Sequence, residues 1–279
     1  MSLVKLTSPA LFLLVLGCDG RSVDTGDQAD ADTDTDTDSD TDTDSDSDTD
    51  TGTPETGWTV SGMAVDFMTQ GPAAEGLTVA FADPTPALSG GELDILGTGT
   101  TAADATFSIA GIEGNPSLGA FLLVSGGDNM STATGVPASA YSGFGDGDVL
   151  AGETAMVISS AMAAGIDASL TPLGVTKSIT ETGVLFVNVR DASGTPVDGA
   201  VVSDGGAGQA IFYMDADSSD GLFTTAGAPN TATSAAAGGF AVIPGATIAT
   251  YEADAGGMTG SQLSGALPSL SVFTGITVQ

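Results

Sequence analysis

The chain has 279 residues, with 36 Asp or Glu against four Lys or Arg, and a formal charge of -32. That balance leaves no basic stripe to neutralise phosphates, which excludes nucleic acid as a partner. The absence of histidine removes the usual general base, the usual zinc ligand and every Ser-His-Asp or Cys-His arrangement, and a single cysteine cannot form a disulfide within the chain.

The first 18 residues read MSLVKLTSPALFLLVLGC. Lys5 gives a positive start, residues 10–16 form a short apolar run, and small Gly17 precedes Cys18. The run is far shorter than the roughly 20 residues a membrane-spanning helix needs. It reads as an export signal over residues 1–17. Peripheral docking on anionic lipid is opposed by the acidic charge, so membrane attachment would have to be covalent or hydrophobic. The local sequence Val15-Leu16-Gly17-Cys18 resembles the bacterial lipobox. The resemblance implies that the signal is cut before Cys18, that its thiol is diacylglyceryl-modified and that the new amine is acylated. Several acyl chains hold a protein stably where one is marginal.

Residues 18–57 follow as an acidic tether, in which residues 27–51 are dominated by Asp alternating with Thr or Ser. Period-two alternation suggests a strand, but here every second residue is charged and no apolar face exists to offset the ordering entropy. Repulsion between like charges extends such a chain, so a disordered spacer is expected. Dense carboxylates attract hard cations, but the run lacks the glycine turn and ligand spacing of an EF-hand, so only weak, diffuse calcium binding is expected. In style the segment resembles the Asp-Thr tethers of myxobacterial lipoproteins.

From Trp58 the composition changes to short Val, Ile, Leu and Phe runs between Gly, Pro and Asp turn clusters, the pattern of antiparallel strands. Two stretches look alike. Residues 60–66 (VSGMAVD), Gly71-Pro72 and residues 76–79 (GLTV) match residues 184–191 (VLFVNVRD), residues 194–196 (GTP) and residues 199–202 (GAVV). Later, residues 105–109 (ATFSI) parallel residues 239–245 (GFAVIPG), and the apolar runs 119–124 and 247–251 follow in turn. Pro196 belongs in a turn, because mid-strand it would remove a ladder hydrogen bond. Alternation puts Val187 and Val189 on one side of their strand and Phe240 and Val242 on one side of theirs; both pairs are expected to face the core of the second unit. Between the copies, Met156, Val157, Ile158, Ala161 and Met162 recur at helical spacing. Thr154 is placed to cap and Gly165 to terminate, which predicts a short helix over 152–164 with loop and strand over 166–175.

The repeated pattern, through Asp191, Gly194, Pro196, Gly199, Ala200, Val202, Gly239 and Phe240, resembles the carboxypeptidase regulatory-like family. The first copy carries one extra residue before Pro72 and has Ala105 where that family has Gly. The resemblance implies transthyretin-like Greek-key β-sandwiches. The expected fold is therefore mainly β. Two such units, 58–128 and 182–279, are joined by a connecting segment, 129–181, that carries one short helix.

Turn-and-core motifs support a fold and not an activity. Asp215, Asp217 and Asp220 precede Gly221 at nearly alternating positions and form a candidate calcium loop, one residue off the usual spacing and without a bidentate Glu. Asp146 and Asp148 are a weaker candidate. Glu92, Glu113, Glu153, Glu181 and Glu252 offer carboxylates for glycoside hydrolysis, but nothing in the sequence pairs them. Lys177 and Arg190 read as turn or strand-edge charges. No cofactor beyond weakly held Ca2+ is expected. The reading is a non-enzymatic lipoprotein of the cell envelope, on the outer membrane or cell surface. It would display interaction or structural domains to an envelope protein or extracellular ligand. The alternative is a calcium- or carbohydrate-binding adhesion module.

Overall fold

The structure is a computed structural model that describes residues 56–279 except 218 and 220. Cys18, the signal, nearly all of the tether and Asp220 lie outside the described residues.

The first half contains β1 (Trp58–Asp66), β2 (Thr78–Asp83), a single helical turn α1 (Thr85–Leu88), β3 (Asp94–Thr100), β4 (Thr106–Ile112), β5 (Ala120–Ser125), β6 (Asn129–Val136) and β7 (Val149–Ser159). One sheet runs β3-β2-β5-β6; facing it, β1 pairs antiparallel with β4 and parallel with β7. Alternate residues point between the sheets, as period two demands. Val60, Phe81, Phe107, Ile109, Leu122 and Val157 are buried there together. Trp58 sits edge-on to Phe81 at 5.3 Å and stacks on Tyr141 at 5.4 Å, with its indole nitrogen donating to Gly114 O. Aromatic pairs in such geometries add to the gain from burial alone.

The second half contains α2 (Ser160–Leu170), α3 (Ile179–Thr182), β8 (Val184–Asp191), β9 (Val201–Ser203), β10 (Phe212–Tyr213), β11 (Thr224–Thr225), β12 (Ala228–Pro229), β13 (Phe240–Pro244), β14 (Ala249–Ala255), β15 (Met258–Ser264) and β16 (Leu270–Val278). A sheet β10-β13-β8-β16 packs on a smaller sheet β15-β14-β9, while β11 and β12 pair as a separate two-stranded ribbon. The molecule is thus mainly β, in two sandwich-like layers of sheet. The halves are fused, because β16 pairs parallel with β8 on one side and with β6 on the other.

Strand β8 reads VLFVNV and is buried on both faces, the mark of a strand covered above and below. Leu185, Val187 and Val189 face the second sandwich core; Val184 and Phe186 face a third cluster beneath α2. That cluster joins the halves. Phe67 from the first packs against Phe186, Phe240 and Phe273 with ring centroids 5.0–5.1 Å apart. The expected shared face for Val187, Val189, Phe240 and Val242 is corrected accordingly. Phe240 lies opposite Asn188, and Ala241 opposite Val187, so Phe240 and Val242 project into the third cluster, on the other side of the sheet. Each pair keeps to one side of its strand; the register between the strands decides which side.

The internal repeat is visible bond by bond. At the first turn, Asp66 Oδ1 accepts from the amides of Met68 and Thr69; at the second, Asp191 Oδ1 accepts from those of Ser193 and Thr195. Each aspartate's own amide donates to the residue before the proline, Gly71 or Thr195, and the residue after it, Ala73 or Val197, donates back to Ala64 or Val189. Pro72 and Pro196 each form an isolated bridge, to Val65 and Arg190, outside the named strands.

Two buried threonines then repeat a four-bond clasp. Thr101 receives Gly76 N at its carbonyl and Leu77 N at its hydroxyl, and donates to Leu77 O and Ala74 O. Thr233 does the same with Gly199 N, Ala200 N, Ala200 O and Val197 O. Finally Ala105 and Gly239 take the same positive φ, 64° and 75°, and their carbonyls accept from Ala64 N and Val189 N. The alanine thus adopts the left-handed conformation that glycine adopts in the other copy.

The segment 129–181 departs from expectation. It carries strands β6 and β7 as well as the helix, and through them it completes the first sandwich and joins it to the second. The helix expected over 152–164 is displaced. Met156, Val157 and Ile158 belong to β7, paired with β1, and α2 runs from Ser160 to Leu170. Its N-cap is Ser159, whose hydroxyl accepts from Met162 N at 3.1 Å, and Thr154 lies within the strand. Ala163, Ile166 and Leu170 form its buried face, so from residue 166 the expected loop and strand give way to helix as far as Leu170 and a 3-10 turn over Thr171–Leu173. Asp167 ties α2 to α3 by accepting from Ser178 Oγ and Ile179 N.

Candidate binding surface

The aspartates read as a calcium loop are arranged around a turn. Asp215 accepts from the Thr225 hydroxyl, from Asp217 N and from Asn230 Nδ2, and the Thr225 hydrogen bond chiefly holds its carboxyl below the ordinary aspartate range. Asp217 is lowered mainly by its hydrogen bonding to Ser219, whose amide it accepts at 3.0 Å. The third candidate, Asp220, is outside the described residues. Asp146 accepts from Gly57 N, and Asp148 from Gly145 N, so this turn fastens the entry to β1. No group of three or more His, Cys, Asp or Glu side chains that could hold a metal occurs among the described residues.

The five glutamates are scattered. Glu153 lies on β7, Glu181 on α3 and Glu252 on β14, with Glu92 and Glu113 in connecting loops. Burial pushes the Glu153 carboxyl up. Arg190 is held along its own turn, donating to Asn188 Oδ1 and Gly194 O.

The feature that the sequence reading missed is a groove of about 530 Å³ where the two halves meet. Its rim carries Leu88 from α1, Leu118 before β5, Ile248 before β14 and Leu263 on β15. All four are exposed, Leu118 at 57% and Leu263 at 48%. Its floor includes Ala120, Val136 and Val272, from β5, β6 and β16. None of its lining residues is charged. A cleft of this size with a mainly apolar lining and a few polar groups has the character of a ligand site. The rim residues come from four separate segments, so no periodicity announces them.

Compared with known proteins, the sequence matches no family model and no curated protein. Three solved structures show a limited likeness. The shaft pilin SpaA from Lactobacillus rhamnosus GG is 10% identical over 80% of this chain and 98% of its own, with a TM-score of 0.23. The Bacillus anthracis TIE protein is 8% identical over 80% of this chain, which spans 34% of that protein, with a TM-score of 0.22. The Streptococcal ancillary pilin is 9% identical, covering 80% and 69%, also at 0.22. Scores this low mean local superposition only, and they say nothing of what this chain binds or assembles with. Among the described residues no helix is long and apolar enough to cross a membrane.

Proposed function

We propose that the protein is a lipid-anchored, non-enzymatic lipoprotein of the cell envelope, on the outer membrane or cell surface, which presents a rigid pair of fused β-sandwiches to a partner. The observation that carries this reading is how the carboxylates are used. Asp66, Asp146, Asp148, Asp191, Asp215 and Asp217 all accept hydrogen bonds from the backbone of turns, so the acidic side chains shape loops and leave surface as the working part. The fusion through β16 supports a presenting role, since two sandwiches sharing one sheet hold a fixed relative geometry. The lipobox-like Val15-Leu16-Gly17-Cys18 and the acidic run behind it supply the anchor and the spacer. The turn and strand motif shared by the two copies favours the carboxypeptidase regulatory-like ancestry.

The test is fractionation with mass spectrometry. The intact chain should partition into membranes and the detergent phase with a triacylated Cys18, and Cys18→Ala should release it. An unmodified Cys18 in a membrane-free mature chain would end this reading.

A further inference from the structure

We propose that the groove takes an extended peptide segment of a partner protein, alternating apolar and basic residues, which adds as a fourth strand along the open edge of β15. This gives the presented surface a partner chemistry and in that respect rests on the function proposed above. The edge comes first. In the sheet β15-β14-β9, β15 has β14 as its one partner. Thr259 turns its N and O away from β14, where they exchange two bonds with Gln279. Period two turns those of Ser261 and Leu263 the same way. No described residue bonds to Ser261 N, Ser261 O or Leu263 N, and both residues line the groove. Leu263 O is taken by Gln262 Nε2. The free ladder is thus three groups long, closed at one end by Gln279 and at the other by Gln262.

The opposite edge of the same sheet is sealed. The Tyr213 hydroxyl accepts from Val202 N at 3.0 Å and donates to Val202 O at 3.2 Å, which caps β9. Sheets guard exposed edges with charge, proline or a cover, and β15 carries neither a charge nor a proline. Across the groove the ladder also stops short. β16 pairs with β6 as far as Phe273, opposite Thr134. The next amide of β6 to reach β16 would be that of residue 137, and Pro137 has none, so Gly275 is left lining the groove. An open edge beside an interrupted ladder accepts a strand through its main chain, whatever the guest's sequence.

Side chains select among strands. A guest residue opposite Ser261 extends the row Ser203, Glu252, Ser261 on the outer face of the sheet. Glu252 is exposed and two strand spacings away, about 10 Å, with only small Ser261 between. A lysine or arginine at that guest position reaches over the serine to the carboxylate. The described region carries 20 acidic residues and two basic ones, so its field favours such a guest and opposes an acidic strand or a second copy of the chain. The guest's alternate residues turn the other way, to the apolar floor of Ala120, Val136 and Val272.

The test uses the full-length Cys18→Ala chain, so its failure leaves the anchor standing, and failure of the anchor leaves the edge standing. The isotope-labelled protein is titrated with acetyl-Val-Lys-Val-Lys-Val-amide to millimolar concentration and followed by amide NMR. Saturable shifts should centre on Ser261 and Leu263, with slowed hydrogen exchange there. Ser261→Pro and Leu263→Pro each remove a free N–H from an edge strand, where proline is tolerated. Each should weaken binding at least tenfold at an unchanged melting temperature, while Ser261→Ala binds normally. Acetyl-Val-Asp-Val-Asp-Val-amide should bind at least tenfold more weakly than the Lys peptide, and Glu252→Gln should narrow that gap. The proposal is overturned if no saturable shift appears at Ser261 and Leu263, or if folded Pro variants bind as well as the parent. Should the Pro variants unfold, the Lys peptide N-methylated at each Lys, or at each Val, decides: if neither methylation weakens binding, no ladder forms and the proposal fails. Tighter binding of the Asp peptide would assign the edge to an acidic strand such as residues 27–51 of the chain itself, and overturn it. A dimer in sedimentation that Leu263→Pro dissociates would make the edge a contact between copies, with the same result.

Discussion

Replacing Thr233 by Val removes one atom that does two jobs. Thr233 is 3% exposed, and its hydroxyl accepts from Ala200 N at 3.0 Å and donates to Val197 O at 2.8 Å. Valine fills nearly the same space, but both backbone groups lose their partner away from water. Each buried group left unpaired costs about 1–3 kcal/mol, so the substitution should cost about 2–6 kcal/mol. Thr233→Ser keeps both bonds and loses one buried methyl, about 1 kcal/mol. Thr101→Val should cost as much as Thr233→Val, since its hydroxyl serves Leu77 N at 2.9 Å and Ala74 O at 2.7 Å in the same way. Urea denaturation of the full-length chain measures this: the midpoint should fall in the order parent, Ser, Val, with an unchanged m value. If Thr233→Val is no less stable than Thr233→Ser, the clasp is not what holds the turn, and the equivalence of the two copies loses its energetic content.

Gly239→Ala should cost about 2 kcal/mol or more, because a left-handed alanine is strained and its Cβ would stand 2.7 Å from Val189 O. Ala105→Gly should stay within about 1 kcal/mol of the parent, relief of strain offsetting the lost methyl and the added freedom of the unfolded chain; thermal melts of the two variants test the asymmetry. Phe240→Ala should cost about 3–5 kcal/mol, since the ring is 9% exposed and contacts Phe67 edge-on. A loss below 1 kcal/mol in urea would place Phe240 outside the core. Acid should destabilise the protein. Asp104, Asp191, Asp204, Asp215 and Asp217 are all held below the ordinary 3.8 by hydrogen bonds, so the stability they contribute is present above that pH and is lost as pH falls through their lowered values. Glu153 works in the opposite sense: burial raises it, its contribution is lost as pH rises past 4.5, and Glu153→Gln should therefore raise the melting temperature at pH 7 but not at pH 4.

What could be read from the sequence was what local chemistry decides. Asp66 and Asp191 followed by glycine and proline specify a turn wherever they stand, and the turns in turn delimit β1, β2, β8 and β9. Two choices escaped because a distant partner makes them. Residues 156–158 satisfy both a helical and a strand spacing, as short apolar runs do. Pairing with β1, and of Ile158 with Met130 on β6, selects the strand, and helix begins only where Ser159 can cap it. Likewise the alternation within β13 was readable, but the register that sends Phe240 beneath α2 is set by β8, some fifty residues earlier. Thr101 and Thr233 went unnoticed because a polar residue in a loop looks solvated; superimposing the two copies beyond their strands would have aligned them. The groove left no trace, being made by the meeting of Leu88, Leu118, Ile248 and Leu263 from four segments.

The position of β16 between β6 and β8 also bears on how the chain reaches its native state. Ser271 on β16 hydrogen-bonds to Met130 on β6, 141 residues earlier. Contacts of such separation slow folding, because a long loop must close before they reward it. Until residues 270–278 arrive, β6 and β8 each present an open edge with an apolar side, and unpaired edges in a waiting intermediate invite association with other chains. A chain emerging amino end first across a membrane would therefore pass through its most aggregation-prone stage with nearly all of its strands made. The second sandwich, whose core takes Val272, Ile276 and Val278 from β16, would then become native last.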